Sequence, residues 1–435
     1  MRNANVATAN YKTTNSTNYK TIVGAIAVVL IGIVAAIYII TTPGFGPSES
    51  NQTAVNLAQI YKGPIVITKG GTYTGNWEST NADIPALDIQ TSEPVVIINS
   101  NIRSAGILIK SWYHNADITI KNTNGYGLSP TPYTGFAKTR RFIALNDFKN
   151  LVVENCYLEG TAGIAVGDNY RGNGTPDQTI KIRYNLVKNI DGRIYAGSIH
   201  SQFVQFNFRG SLPHAEISWN QVINEPNRSL VEDNINIHNS RGTTSSPIKI
   251  HNNYIQGAYP LFAADSSFSG WGILADGDGN LKNCTAYIKA YENHLVNLGN
   301  YSMGIASGNN IRYHHNRAIN AATFNDDSRF TMYTSGFWSL DYYKKKTTFS
   351  NSIDHNTIGV MAWGWPHNRR DIADMEGTKL ANNTFIPGPI TKQHEAEEFD
   401  RWQQKLHSNA VVVGPVGSNK PFIPFLNGYL SSSRL

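Results

Sequence analysis

Ile248-Lys-Ile250-His-Asn-Asn253-Tyr-Ile255 decides how this chain folds. Ile248 and Ile250 alternate with polar residues, the period-2 pattern of a strand with one buried face. Asn253 follows three residues later, and Ile255 two after that. The order apolar, any, apolar, any, any, Asn, any, apolar recurs along the chain. Ile180-Lys-Ile182 leads to Asn185 and Val187, and Ala215-Glu-Ile217 leads to Asn220 and Val222. Ile311-Arg-Tyr313 leads to Asn316, Asn351-Ser-Ile353 to Asn356, and Thr378-Lys-Leu380 to Asn383. Asn293 fills one more slot, and Ser100, Thr123 and Cys156 take the Asn place in earlier copies.

From Cys156 to Asn383 the slot advances by 29, 35, 33, 40, 23, 40 and 27 residues. Helical repeats keep a fixed length, whereas strand coils joined by variable loops do not. A β-sandwich would also alternate, but it would not put one turn residue at one offset in so many strands. The spacing predicts an all-β solenoid over 64–390. Its slot Asn is expected to adopt left-handed backbone and to hydrogen-bond the coils above and below.

This pattern resembles the pectate-lyase-like right-handed parallel β-helix superfamily. The resemblance implies the fold over most of the chain. It leaves activity open, because the superfamily includes polysaccharide lyases, hydrolases, uronate epimerases, adhesins and phage tailspikes. Asp326-Asp327 resembles the paired acids of polygalacturonases, but the Asn-Thr-Asp strand and Gly-His-Gly turn of that family are absent. The Asp-Pro-His motif of mannuronan epimerases is absent too.

The flanks read differently. Ile22 to Ile40 holds no charge. At ~1.5 Å per residue it spans about 28 Å, near the hydrocarbon thickness. Arg2, Lys12 and Lys20 precede it, and no acid occurs before Glu49. These residues predict a cytoplasmic tail (1–20), a transmembrane anchor (21–41), and a β-helix in the periplasm or outside the cell. A cleaved signal peptide fits less well, since the apolar run and the tail before it are long. Residues 42–63 read as linker and N-terminal cap. In 391–435, Ala396, Phe399, Trp402 and Leu406 mark an amphipathic helix expected to cap the C-terminal end.

Charged residues make up only 16% of the 435, and the net charge is +6. A basic, Asn- and Ser-rich chain suits an anionic polysaccharide. No Lys/Arg stripe appears in the linear sequence, so nucleic acid is not expected as a partner. Two cysteines, Cys156 and Cys284, make no disulfide framework and read as buried thiols.

A second strand stretch recurs in each coil, as in Asn234-Ile-Asn-Ile-His238. With Ile235 and Ile237 inward, Asn234, Asn236 and His238 point out. Stacking these stretches puts Asp147, Asp168, His200, His238, Asp276 and Asn309 on one face, with Arg171, Arg209, Arg241 and Asp278 on adjacent loops. Uronate elimination or epimerisation needs the C5 proton removed and the neighbouring carboxylate neutralised. His238 is the expected base, with Arg241 as neutraliser and His200 as a further catalytic group. Asn236, Arg171, Arg209, Trp338, Tyr342 and Trp365 are expected to bind substrate. Asp168, Asp276 and Asp278 are candidate Ca²⁺ ligands. Asp168 and Asp276 lie about 14 Å apart in this stacking, too far for a hydrolase pair. Three readings follow: a lyase or C5-epimerase on an anionic polysaccharide, a non-catalytic β-helix that binds or guides an exported polymer, and an adhesin.

Overall fold

Three stacks of parallel strands build the molecule. A computed structural model describes residues 60–128, 139–194, 197–198, 201–362 and 368–419. The expected tail, transmembrane anchor and most of the linker lie outside the described residues, as do His200 and Trp365. Among the described residues no helix is long and apolar enough to cross a membrane.

In the first stack Ile143 pairs Ile164, and Ile164, Val204, Ile235, Ile273, Met303, Phe337 and Ile372 follow one another in register. In the second, Val152, Lys181, Glu216, Lys249, Lys289, Arg312, Ser352 and Lys379 line up in the same way. The continuous strand Ile143–Glu154 turns the corner between them and merges both into one 21-stranded sheet. The third stack is a separate 11-stranded sheet. Between the stacks lies one apolar core, with Ile182, Ile217, Ile250, Ala290, Tyr313 and Ile353 superposed coil upon coil. The chain is thus a parallel β-helix.

The Asn slot carries a continuous ladder. Asn220 Nδ2 donates to Asn253 Oδ1 at 2.9 Å, and Asn253 Nδ2 donates to Asn293 Oδ1 at 2.9 Å. Each Oδ1 also accepts the backbone N–H of the preceding slot, as from Asn220 to Asn253 at 3.1 Å. The second amide hydrogen goes to a carbonyl of the coil behind, for Asn253 to Ile217 O at 3.0 Å. The ladder runs from Asn185 to Asn383. Cys156 continues it by donating its backbone N–H to Asn185 Oδ1 at 2.9 Å, while its thiol donates to Glu154 O at 3.3 Å. Burial pushes that thiol up to about 12, which suits an inert donor. Both cysteines are free and buried.

One expectation about this turn is corrected. The left-handed residue is the one before the slot: Asn252 (φ 52°), Trp219 (φ 54°), His315 (φ 55°) and His355 (φ 56°). The slot Asn itself is spent on hydrogen bonds, so its neighbour takes the tight backbone.

A second correction concerns the C-terminal helix, Lys392–Ser408. It lies along the flank of the third stack rather than across the end, and Leu380 and Phe385 of the last coil remain exposed. Trp402 is buried and donates to Gln221 Oε1 at 2.8 Å. The buried stripe is Glu395, Glu398, Trp402 and Leu406, with Ala396 exposed. Its two glutamates are held by partners: Glu398 by His294 Nδ1 (2.5 Å) and Arg317 Nε (2.7 Å), Glu395 by Asn297 Nδ2 (2.9 Å). Beyond the helix the chain runs back along the coils. Gly414 N reaches Tyr184 O at 2.7 Å, and Asn419 Nδ2 reaches Ser100 O at 3.2 Å.

Replacing Asn253 with Ala leaves buried groups of Asn220 and Ile217 unpaired at about 1–3 kcal/mol each, so chemical denaturation should show a loss of about 3 kcal/mol.

Candidate active site

His238 and Asp276 stand side by side on the outer face of the first stack, paired across neighbouring coils. His238 Nδ1 lies 3.1 Å from Asp276 Oδ2. The other carboxylate oxygen accepts Tyr343 O–H at 2.9 Å. Burial works to raise the Asp276 pKa, but the bonds and charge of His238 and the bond from Tyr343 outweigh it and hold it below 3.8. An ionised Asp276 assigns the proton to Nδ1 and leaves the Nε2 lone pair free. Burial, then the charge and hydrogen bond of Asp276, push Tyr343 above its usual value, so it stays a donor. Tyr343 arrives on a loop that returns over the sheet, with Leu340 N on Ile305 O (2.9 Å) and Tyr342 N on Ala306 O (3.0 Å). Strand spacing alone does not reveal Tyr343, because its contact is fixed by that loop.

The rest of the expected row disperses. The strand of the preceding coil is Val204–Asn207, so Asn207, not His200, follows the Phe206–Ile237 pair toward His238. A register shift pairs Asp147 with Asn169, and Asp168 is left exposed beside them. Arg171 sits 3.7 Å from Asp147. Asn309 starts a strand of the second stack instead, paired with Ala286. Arg209 is exposed at the corner after Asn207, with φ 50°.

Two expected roles do not fit the geometry. Arg241 does not face His238: the left-handed turn at Asn239 (φ 45°) carries it round the corner. Its guanidinium there binds Leu281 O (3.0 Å) and Lys282 O (2.9 Å). The Ca²⁺ set fails as well. Asp168 is three coils from Asp276, and Asp278 is committed to Asn239 Nδ2 at 2.9 Å. Among the described residues no group of three acidic, histidine or cysteine side chains could hold a metal ion.

A polar cluster the sequence did not reveal lies further along the same face. Asp233 is 2% exposed and accepts Asn236 Nδ2 at 2.7 Å. Its Oδ1 is buried without a partner, as are Asn236 Oδ1 and Asn207 Oδ1. Burial and the charges of Glu232 and Asp276 outweigh the Asn236 bond and raise Asp233 well above 3.8, which favours its protonated form. Strict alternation sends Asp233 inward with Ile235. Instead Asn234 turns into the corner, bonded to Asn224 (2.9 Å) and Gly257 O (3.1 Å), which resets the phase and frees Asp233 to meet Asn236. The expected outward Asn234 is therefore buried.

Next to the cluster stands an aromatic wall. Trp271 and Tyr301 lie 4.5 Å apart, and Trp338 stacks 5.5 Å from Tyr301. Gly304 makes room for it, since a Cβ there would sit 2.1 Å from the Trp271 ring. Trp338 is only 7% exposed and donates to Asp374 Oδ2 at 3.2 Å, so it supports the wall rather than offering its face. Tyr342 is 55% exposed and remains available for stacking.

Because folding raises the Asp233 pKa, its protonated form favours the folded state, and that contribution is lost as pH rises from about 3.8 through the folded value. Asp233→Asn should therefore raise the melting temperature at pH 7 and flatten its dependence on pH above 4, measured by thermal melts across pH.

No family model, curated protein or solved structure matches this chain.

Proposed function

We propose that this chain acts on an anionic polysaccharide as a lyase or C5-epimerase, with His238 as the base. The observation that carries this reading is the Tyr343–Asp276–His238 relay on an open sheet face, beside buried acceptors and an aromatic wall. We read the fold as the right-handed, pectate-lyase-like form, the hand that parallel crossovers favour. We read 21–41 as the anchor that keeps it outside the membrane.

Nε2 takes the C5 proton of a uronate. In elimination the C4–O4 bond then breaks, the C4–C5 double bond forms, and the leaving oxygen gains a proton from solvent. In epimerisation the same carbanion is reprotonated from the opposite face. With Arg241 turned away, Arg209, exposed at the corner after Asn207, is the cation we assign to neutralise the carboxylate.

On a panel of polyuronates the full chain should give unsaturated ends or a changed epimer ratio. His238→Gln should lower that rate by about 10²–10⁴-fold, the usual contribution of general acid–base catalysis. Asp276→Asn should lower kcat far more than it changes KM. Polymer binding without product from the parent chain would favour the guiding role instead.

A further inference from the structure

The outer face of the second stack changes character half way along. In its earlier coils acids and bases alternate. Glu154 is paired with Lys121 (3.0 Å) and Arg183, while Glu216 meets Arg183 (3.5 Å) and His251 (3.3 Å). From Lys249 onward the acids stop. Lys249 pairs Lys289, Lys289 pairs Arg312, and Lys379 follows beyond Ser352. Glu216, directly opposite Lys249, is taken by Arg183 and His251, and Asp354 of the neighbouring row is taken by Arg312 (2.7 Å) and His355 (2.9 Å). Lys249, Lys289 and Lys379 are exposed and make no ion pair among the described residues. Like charges directly opposite on a sheet are destabilising. A chain that neutralises its earlier coils and leaves these bare has a face suited to an external anion. From Lys249 to Lys379 the rail covers four strand steps, about 19 Å.

The neighbouring row narrows the occupant. His251, Tyr291 and His314 stack face to face at 4.7 and 5.2 Å, with planes 5° and 7° apart. Their faces are filled by one another, so a nucleic-acid base finds no ring to stack on. His251 spends both ring nitrogens on Asn252 (2.9 Å) and Glu216 (3.3 Å), which leaves Tyr291 and His314 to hydrogen-bond an oxygen-rich chain.

We propose that Lys249, Lys289, Arg312 and Lys379 bind a linear anionic polysaccharide lying along the β-helix axis, on a face separate from His238. The proposal does not depend on catalysis.

The test is binding of the full chain in detergent micelles to immobilised polygalacturonate at several salt concentrations, with dextran and poly(U) as comparison polymers. The parent should bind polygalacturonate, ignore dextran and bind poly(U) more weakly. Lys249→Gln/Lys289→Gln/Lys379→Gln should weaken binding at least tenfold. It should also flatten the dependence of log Kd on log salt by about 2, at roughly 0.7 per lost contact as for single-stranded polyanions. The Lys249→Gln/Lys289→Gln pair should fall between. Parent-like affinity and slope in the folded triple variant would overturn the proposal, as would tighter binding of poly(U).

Discussion

From Asn220 to Asn356 each coil closes through one asparagine amide that has no hydrogen-bonding capacity left over. Its oxygen takes two donors from one neighbouring coil, and its nitrogen serves two acceptors. Buried amides are costly unless fully paired, so the slot accepts little besides Asn once the ladder is running. Ser100, Thr123 and Cys156 stand where the ladder has not begun or is ending, and each satisfies itself locally on a carbonyl two residues back. The ladder fixes the register of the strand before the turn and the strand after it. It leaves the remaining loops free to vary, which is why the slot spacing ranges so widely.

A fixed register decides which side chains meet on the outer faces. Residues far apart in sequence come within one strand spacing, and loops from later coils reach back over earlier ones. Tyr343 reaches Asp276 this way, and the C-terminal tail reaches Ser100. The two long faces then divide. On the first stack a histidine–aspartate–tyrosine relay lies beside a buried acid and an aromatic wall. On the second stack the charges stop alternating and leave a rail of cations.

The repeat was readable because it is local: eight residues suffice to show the strand, the slot and the return. The inward isoleucines, the buried thiols, and the His238–Asp276 adjacency all followed from that register. Features set by irregularity were not readable. The coil containing His200 uses Val204–Asn207 as its strand, and nothing in the composition separates the two stretches. Asp233 turns outward because Asn234 is captured by the corner, a contact between residues of different coils. Arg241 is lost to the turn at Asn239, which sequence spacing alone does not reveal. The lysine rail escaped notice because its members lie 23 to 67 residues apart and form a row only once the coils are stacked. The helix was found, but its buried stripe includes two glutamates that hydrophobicity cannot predict.

Hydrogen–deuterium exchange of the full chain with and without a polyuronate tests the functional reading most directly. In the proposed reading the polymer lies along the relay and its wall, so exchange should slow in 233–238, 271–276, 301–305 and 337–343 on addition of the polymer. Unchanged exchange there under saturating polymer would contradict the assignment of this face as the site.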